Sequence, residues 1–362
     1  MSNKKVAEFF AGIGLVRLGL ERAGWQVAFA NDISPDKFQI YKDNFGGGDF
    51  LLGDIHQIKA DSVPNISLAT ASFPCIDLSL AGNRNGLSGR HSSAFWEFFR
   101  IIKEMGCRRP KVILIENVVG LLSSNQGNDL RSILSSLGKL GYFFDVLMID
   151  AIHFTSQSRP RLFVIASAWC LENNVANLAI HEARPRQITE FIQANRNLRW
   201  SHFSLPPLPS RKHDLCDVVE RLEWDSEIWW DRKRRHHLLS QMNNVHKSRL
   251  RELAYPRSIQ YATVYKRVRA TGCMAEIRTD GVAGCLRTPR GGSSKQFLIQ
   301  AGFNRWEVRN LSAREYARLQ GVPDSFVINC PYNQALHGFG DAVCVPVVEW
   351  IAKFSINTLF PN

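Results

Sequence analysis

The chain has 362 residues, of which 45% are hydrophobic and 22% charged. This length predicts two domains, or one large α/β domain that carries an insertion. No apolar run approaches the roughly 18 residues that a membrane span requires. The apolar segment after the first lysines is shorter than a signal-peptide core of roughly 7–15 residues. We therefore expect a soluble, cytoplasmic protein without a membrane partner.

The formal net charge is +12, which favours a polyanionic partner. The basic residues are concentrated in residues 232–269, which contain eleven lysines and arginines against one acid, Glu252. A nucleic-acid-binding surface has this composition, but so does a solvated helix face. The charge pattern alone leaves both interpretations open.

The chain contains eight cysteines. They form no CxxC pair and no Cys/His metal spacing, and a cytosolic chain of this length needs no disulfide framework. We therefore expect no metal, and we expect most of the cysteines to be small buried apolar residues.

Up to about residue 170, short apolar runs alternate with helical patterns. This alternation is typical of βαβ units around a parallel sheet. The predicted strands cover residues 5–10, 27–31, 67–72, 111–115, 145–150 and 161–167. The predicted helices cover residues 14–23, 35–44, 93–106 and 128–140, the last followed by Gly141 as a C-cap glycine. The fold class predicted is α/β, a Rossmann-like, doubly wound and mostly parallel sheet.

Polar residues follow four of the predicted strands. A glycine turn at residues 11–14 follows the first strand, and Asp32 ends the second. Pro74 and Cys75 follow the third strand, and Glu116 with Asn117 follows the fourth. Because ligands of open α/β sheets bind outside the carboxyl ends of the strands, we expect these four positions to meet at one cleft.

After about residue 175 the alternation fails, and a proline-rich stretch at 205–209 predicts a linker. Helical periodicity returns at 312–319, where Ser312 and Glu315 form a capping box. The apolar stretch 342–351 is predicted to pack back on the sheet. Three segments follow: a catalytic and cofactor-binding domain, an inserted recognition domain and a C-terminal segment, at 1–175, 176–295 and 296–362.

The glycine turn lets the backbone approach a nucleotide-like ligand. The third glycine of the dinucleotide fingerprint is missing, because Arg17 stands three positions after Gly14. This argues against an NAD-dependent oxidoreductase. Asp32 suits the ribose hydroxyls of an adenosine-containing ligand, and Asp54 the adenine amino group. For both acids, a strand-end cap or a turn residue is the simpler interpretation.

Cys75 is a candidate nucleophile. Pro74 fixes the backbone before it, and residues 80–93, with three glycines, suit a mobile lid over the cleft. A free cysteine is more often inert, because a thiol with a pKa of about 8.5 yields little thiolate at neutral pH. Its position beside the predicted cleft, near Glu116, favours a functional role.

Five motifs, in this order along the chain, resemble those of the cytosine-5 DNA methyltransferases of bacterial restriction-modification systems. They are the glycine turn at 9–14, Pro74-Cys75, Glu-Asn-Val at 116–118, Gln-Ser-Arg-Pro-Arg at 157–161 and the segment 309–324. Each motif is short, but five in one order make coincidence improbable.

The resemblance implies site residues. The implied catalytic residues are Cys75, Glu116, Arg159 and Arg161. S-adenosylmethionine, which yields S-adenosylhomocysteine as product, would be bound by Phe10, Gly12, Gly14, Asp32, Asp54, Pro74, Asp341 and Val343. Duplex DNA would be bound by Ser79, Arg84, Arg90, Arg234, Arg235, Lys247 and Arg249. For one of Arg159 and Arg161, a salt bridge that braces the sheet is an equal alternative.

Three residues depart from the family pattern. Asp341 replaces the usual asparagine and loses its amide donor. Glu8 stands where aspartate is common, and Leu15 where a glycine is common. These departures concern cofactor affinity rather than the reaction.

The resemblance also implies a mechanism, in which a Cys75 thiolate adds to carbon 6 of a flipped-out cytosine while Glu116 hydrogen-bonds nitrogen 3. The enzyme would act as a monomer, with or without a separate restriction endonuclease. Two alternatives stay open: a tRNA cytosine-5 methyltransferase, and a catalytically silent DNA-binding regulator. The recognised sequence is not readable from the chain.

Overall fold

The computed structural model describes residues 4–73, 93–171, 181–269, 272–288 and 295–361. The chain forms two compact units. The first consists of Met1–Asp150, Pro160–Leu208 and Val345–Asn362, and the second of Ala151–Arg159 and Pro209–Cys344. One boundary falls inside the proline-rich stretch 205–209. The units are bounded differently from the three predicted segments, whose functional division stays a prediction.

The strands are β1 (Lys5–Phe9), β2 (Gln26–Asp32), β3 (Phe50–Leu52), β4 (Leu68–Ala71), β5 (Val112–Val118), β6 (Phe143–Asp150), β7 (Pro160–Ser167), β8 (Gln260–Arg269), β9 (Gly272–Arg278), β10 (Gln296–Gly302) and β11 (Arg305–Asn310). The helices are α1 (Leu15–Arg22), α2 (Pro35–Phe45), α3 (Ser93–Glu104), α4 (Asn128–Lys139), α5 (Arg186–Ala194), α6 (Arg232–Ser240), α7 (Asn244–Ala254), α8 (Ala313–Leu319), α9 (Tyr332–Asp341) and α10 (Val345–Phe354). Each predicted strand and helix before residue 170 is confirmed, with ends shifted by three residues at most.

The first unit is built on a seven-stranded sheet in the order β3-β2-β1-β4-β5-β7-β6. Strands β1 to β5 are parallel, whereas β7 runs antiparallel to both β5 and β6. Strand β4 is buried throughout and β5 almost throughout, as expected where helices cover both faces of a sheet. The predicted Rossmann-like fold class is confirmed.

Helix α10 brings the C-terminal segment back to the first unit, where it packs against α1. The contact is close at Gly19, because a Cβ built there would lie 2.7 Å from Cβ of Val348. Of the segment predicted to return, Val345–Asn362 belongs to the first unit, whereas residues 296–344 belong to the second. The assignment of the whole segment to the catalytic domain stays a prediction.

A buried ionic network fastens the residues on both sides of α5 to the edge strand β6. Asp145 is fully buried, and its carboxylate accepts from Arg184, from the ring of His202 and from the amide of Phe203, the last at 2.9 Å. Burial alone would raise the pKa of Asp145, but the hydrogen bonds from His202 and Arg184 hold it below its ordinary value. A buried charge with this many partners fixes one arrangement of the segment on β6.

The second unit contains a four-stranded antiparallel sheet in the order β11-β10-β8-β9. Helices α6 and α7 bury their apolar side chains against one face of this sheet, around Trp230, Phe297 and Leu238. The predicted capping box of α8 is confirmed, since Ser312 accepts from the amide of Glu315 and Glu315 from the amide of Ser312.

Seven of the eight cysteines lie in the described residues, and none of these seven is bridged. The prediction that most are buried is wrong for this set: Cys107, Cys170 and Cys216 are exposed, three more are partly exposed, and Cys344 is buried. Cys107 and Cys216 lie in short 3-10 turns, where apolar burial is not demanded. In the same described residues, no group of three or more His, Cys, Asp or Glu side chains is placed to hold a metal ion.

One stretch, Tyr332–Leu359, is long and apolar enough to cross a membrane by length and composition alone. It consists of α9, α10 and a short final turn, and 56% of its most apolar window is buried. Buried core helices of soluble proteins meet the same criterion.

Candidate active site

The glycine turn after β1 is held in left-handed backbone conformations. Phe10, Gly12 and Gly14 have φ values of 58°, 58° and 83°. A Cβ on Gly14 would also lie 2.4 Å from the ring of Phe45, so glycine is required there on two counts. Gly14 precedes α1 and has no side chain to cap it, and Glu8 accepts from the amide of Arg17, which leaves the first-turn amides of Leu15 and Val16 for a ligand.

Asp32 joins the end of β2 to the glycine turn. One carboxylate oxygen accepts from the amide of Gly12 at 2.9 Å, and the other from the amide of Ser34 at 2.9 Å. Two of the four predicted positions therefore meet at the carboxyl edge of the sheet. The carboxylate caps backbone groups, and its contact with a ribose stays a prediction.

Asp54 begins a short turn after β3. Its carboxylate accepts from the amide of His56 at 3.0 Å and lies 2.6 Å from the ring nitrogen Nδ1 of His56. The bond from the amide of His56, followed by the bond from its ring, lowers the pKa of Asp54. Asp54 is therefore a turn residue, as the simpler interpretation held, and its contact with adenine stays a prediction.

Glu8 forms a buried polar cluster behind the glycine turn with Arg17 and its partners. One carboxylate oxygen of Glu8 accepts from the amide of Arg17 at 3.3 Å, and the other has no hydrogen-bond partner in the described part of the chain. The guanidinium of Arg17 binds Glu21 at 2.7 Å, and Asp49 and the hydroxyl of Tyr41 at 2.6 Å. Of the acids in this cluster, sequence analysis had singled out Glu8 alone, as a departure from the family pattern.

Burial raises the pKa of Glu8 to about 8, against the opposing effect of Arg17. The folded state therefore binds the proton more tightly than the unfolded state, and its stability falls as pH rises from about 4.5 to 8. We predict that Glu8→Gln removes this dependence. As pH rises through this range, the unfolding free energy of wild type should then fall relative to that of the variant by about 1 kcal/mol per pH unit.

Urea denaturation at a series of pH values from about 5 to 8 measures this difference. Glu190→Gln is the matched control, because Glu190 is an exposed acid of the same unit. Parallel pH profiles for wild type and Glu8→Gln would show that Glu8 ionises without cost to the fold.

Glu116 and Arg161 form an ion pair between neighbouring strands. Glu116 lies near the end of β5 and is 9% exposed. Arg161 lies on β7, where it is paired with Val118 of β5, and its Nε lies 3.1 Å from Oε1 of Glu116. A guanidinium at this distance fixes the orientation of the carboxyl group. The structure thus brings two of the predicted catalytic residues together, while their catalytic roles stay predictions.

Asn117 ties β5 to the segment that leads to Cys75. Its side-chain amide donates to the carbonyl of Phe73 at 3.3 Å. Phe73 is buried and stands two residues before Cys75. Cys75 itself lies outside the described residues, as do Pro74, Ser79, Arg84 and Arg90.

Arg159 belongs to the second unit and has different partners from Arg161. Its guanidinium donates to the carbonyls of Leu286 at 2.6 Å, Gly340 at 3.0 Å and Ala342 at 2.6 Å, and the residue is 2% exposed. It therefore fastens the backbone on both sides of Asp341.

Asp341 and Val343, two predicted cofactor contacts, lie in this same fastened segment. The carboxylate of Asp341 accepts from the hydroxyl of Thr288, and Val343 is buried. Aspartate at this position therefore has a hydroxyl partner within its own unit. Its role toward a cofactor stays a prediction.

The predicted DNA-binding residues of the basic run lie on α6 and α7. Arg234 and Arg249 are exposed and Lys247 is half-buried. The guanidinium of Arg234 stacks 3.7 Å from the centre of the Trp230 ring, whereas Arg235 pairs with Glu307 at 2.5 Å. Arg235 is thus already engaged by an acid, and the other three are better candidates for phosphate contacts.

Comparison with known proteins adds independent findings. The family model described as C-5 cytosine-specific DNA methylase matches residues 4–357. The chain is 28% identical to the Type II methyltransferase M.HaeII of Haemophilus aegyptius, covering 99% of this chain and 95% of the relative. It is 30% identical to M.DsaV of Dactylococcopsis salina, covering 96% and 85%.

Two solved structures share the fold at low identity. The methyltransferase EhMeth of Entamoeba histolytica superposes with a TM-score of 0.69 at 14% identity, covering 100% of both chains. The Dnmt2 methyltransferase of S. pombe superposes with a TM-score of 0.61 at 19% identity, covering 99% of both.

Proposed function

The chain belongs to the C-5 cytosine-specific DNA methylase family, and from this premise we propose that it methylates carbon 5 of a flipped-out cytosine in duplex DNA, through a Cys75 adduct and with S-adenosylmethionine as donor. That it is a DNA cytosine methyltransferase follows from the family. The donor, the flipped base and the adduct are the proposal. The observation that carries it is the ion pair of Glu116 with Arg161, on the strand that Asn117 ties to the segment before Cys75.

The glycine turn and its neighbours fit S-adenosylmethionine, which when bound supplies an electrophilic methyl group. The first-turn amides of α1 suit its carboxylate, and Phe10, Gly12 and Gly14 keep the backbone open to it. Asp32 suits the ribose, with Asp54 for the adenine amino group. Ile33, which is 64% exposed directly after Asp32, offers an apolar face to the adenine ring, and sequence reasoning missed it. Asp341 and Val343, of the second unit, remain proposed contacts of the cofactor. Pro74, which lies outside the described residues, is a further proposed contact.

The covalent step makes carbon 5 reactive. The Cys75 thiolate adds to carbon 6, and the electron pair of the 5,6 double bond moves into the ring, where Glu116 donates a hydrogen bond to nitrogen 3. Carbon 5 would then take the methyl group, and the sulfur of the donor would keep the electron pair of the broken carbon–sulfur bond, which leaves S-adenosylhomocysteine. Loss of the proton from carbon 5 restores the double bond as the carbon–sulfur bond breaks, which returns Cys75. Arg161 holds the carboxyl of Glu116 in place, and Arg159 is proposed to support the site through the backbone that it binds.

The target base must leave the helix, because neither ring carbon is accessible in a stacked duplex. Ser79, Arg84 and Arg90, in and beside the proposed lid at 80–93, are proposed to contact DNA around the base. Residues 176–295 are proposed to select the sequence, with Arg234, Arg235, Lys247 and Arg249 as phosphate contacts.

We further propose a monomer in the bacterial cytoplasm. The relatives are named Type II methyltransferases, which supports a place in a restriction-modification system. A separately acting restriction endonuclease with the same recognition sequence is the proposed counterpart.

DNA that carries 5-fluorocytosine at the target base tests the covalent route. Fluorine cannot leave as a proton does, so elimination is expected to stall after methyl transfer and to leave a protein–DNA adduct. We predict a band of reduced mobility on a denaturing gel that requires S-adenosylmethionine. Absence of this band, where ordinary DNA of the same sequence is methylated, would contradict the adduct.

The basic helices predict a salt-dependent loss of affinity. Each phosphate contact that is removed should lower the slope of log affinity against log salt by about 0.9 on duplex DNA. We expect Arg234→Ala, Lys247→Ala and Arg249→Ala together to weaken binding to all sequences alike and to flatten the slope. S-adenosylmethionine affinity should stay unchanged.

Gel shifts across a salt series measure the slope, with Arg186→Ala as control. Arg186 is a strongly exposed arginine of the first unit, paired with Glu190. If the triple variant has the wild-type slope, DNA binds to another surface of the protein.

A further inference from the structure

The hairpin of β8 and β9 extends beyond the rest of the sheet in the second unit. Strand β10 pairs with β8 from Gln260 as far as Tyr265, where it faces Gln296. From Lys266 onward, β8 is paired with β9 alone in the described register, with Arg267 opposite Met274. The outer half of the hairpin is therefore a two-stranded ribbon.

The base of the ribbon is fastened to the helices. The amide of Ala275 donates to the carbonyl of Gln241 at 3.0 Å, and the amide of Ile277 donates to Nδ1 of His246 at 3.3 Å. Ala275 and Ile277 are buried in the core of the sheet. These bonds satisfy the free edge of β9 at its base and hold the direction in which the ribbon projects.

The two faces of the ribbon differ. Lys266 lies on the side of the helices, with Nζ 5.8 Å from the centre of the Phe297 ring. Because side chains alternate along a strand, Tyr265 and Arg267 lie on the opposite face, with Glu276 across from Tyr265. The hydroxyl of Tyr265 donates to Glu276.

Arg267 is oriented without being buried. Its Nε lies 3.9 Å from a carboxylate oxygen of Glu276, its Cζ lies 5.5 Å from the centre of the Tyr265 ring, and its side chain is 54% exposed. Val268 beside it is 68% exposed. The ribbon thus presents a guanidinium that neighbouring side chains hold in place and that solvent still reaches.

We propose that this ribbon enters the major groove of the substrate DNA and that Arg267 determines specificity by contacting a guanine of the recognition site. The major groove admits a two-stranded ribbon, and an arginine guanidinium can pair with both O6 and N7 of guanine. A phosphate contact requires charge alone, whereas the contacts of Tyr265 and Glu276 restrict the direction of the guanidinium. This inference rests on the proposed function, since it assigns base reading to a DNA methyltransferase.

The test compares the sites that are methylated by wild type and by Arg267→Ala. A plasmid library with randomised sequence is methylated in vitro and read by bisulfite sequencing. We expect wild type to require a guanine at one position that Arg267→Ala relaxes, with discrimination falling by roughly 10-fold or more. Arg267→Lys keeps the charge but not the paired donors, and should relax the same position.

Arg305→Ala is the matched control. Arg305 is an exposed arginine of the same sheet, but it faces Gly302 at the turn of β10 and β11, at the end of the sheet opposite the ribbon. This variant should keep the wild-type site. If Arg267→Ala methylates too slowly for bisulfite sequencing, duplexes that the variant binds can be selected from the same library. Their sequences give its base preference without turnover.

Three outcomes would overturn the inference. A wild-type preference in Arg267→Ala would show that Arg267 does not contact a base of the recognition site. Equal weakening on all sequences, with a salt slope lower by about 0.9, would make Arg267 a phosphate contact. Absence of any methylated cytosine with wild-type protein would overturn the proposed function itself, and this inference with it.

Discussion

Replacing Cys75 with serine is expected to abolish methyl transfer, with a residual rate at least about 10³-fold below wild type, equivalent to roughly 4 kcal/mol in the barrier. The reason is that the thiolate forms the bond to carbon 6, and a serine hydroxyl is far less ionised and less nucleophilic at neutral pH. DNA affinity should change little, because the adduct forms after binding. Single-turnover transfer of a tritiated methyl group, measured beside a gel shift, separates the two.

Cys107→Ser is the matched control for this substitution. Cys107 is an exposed free thiol outside the glycine turn and the Glu116 pair, and its variant should methylate at the wild-type rate. Substantial turnover by Cys75→Ser would mean that another group attacks the base.

The fold was predictable because its central strands are buried on both faces. Strand β5 reads as a continuous apolar run for this reason, and Gly141, with φ of 98°, ends α4 where the sequence pattern places the end. Strand β3 was not predicted. Its three residues are all apolar, but the run is too short to indicate a strand, two of the three are exposed, and the strand exists through its pairing with β2.

The glycine turn and Asp32 were predictable for a topological reason, since parallel strands bring their carboxyl ends to one edge. The cluster of Arg17 was not, because its partner Asp49 is distant in sequence and neither residue forms a motif.

The two arginines of the Gln-x-Arg-x-Arg motif show a further limit of sequence reasoning. The resemblance implies a catalytic role for both Arg159 and Arg161, with a salt bridge that braces the sheet as the alternative for one of them. In the structure, strand β7 begins between them, at Pro160. Arg161 therefore pairs with Glu116 on the neighbouring strand, whereas Arg159 binds backbone carbonyls of the second unit. The start of this strand was predicted to within one residue, but the partners of the two arginines are distant in sequence, and no local pattern encodes them.

Glu116→Gln is expected to lower the rate of methyl transfer by about 10²–10⁴-fold, the usual contribution of a positioned acid or base. Glutamine keeps an amide donor near nitrogen 3 but cannot transfer a proton as the ring charge changes. Arg161→Ala should lower the rate less, since Arg161 acts on the reaction by holding the carboxyl of Glu116 at 3.1 Å. Binding of DNA and of S-adenosylmethionine should stay near wild type in both variants.

The double variant of Glu116→Gln and Arg161→Ala distinguishes a shared role from two separate ones. If Arg161 acts through Glu116, its removal costs nothing further once the carboxyl is gone, so the double variant should match Glu116→Gln alone. Single-turnover rates for the two single variants, the double variant and the exposed control Arg186→Ala complete the cycle. Losses that multiply in the double variant would show that Arg161 contacts the substrate independently, because a positioning residue has no effect apart from the group that it positions.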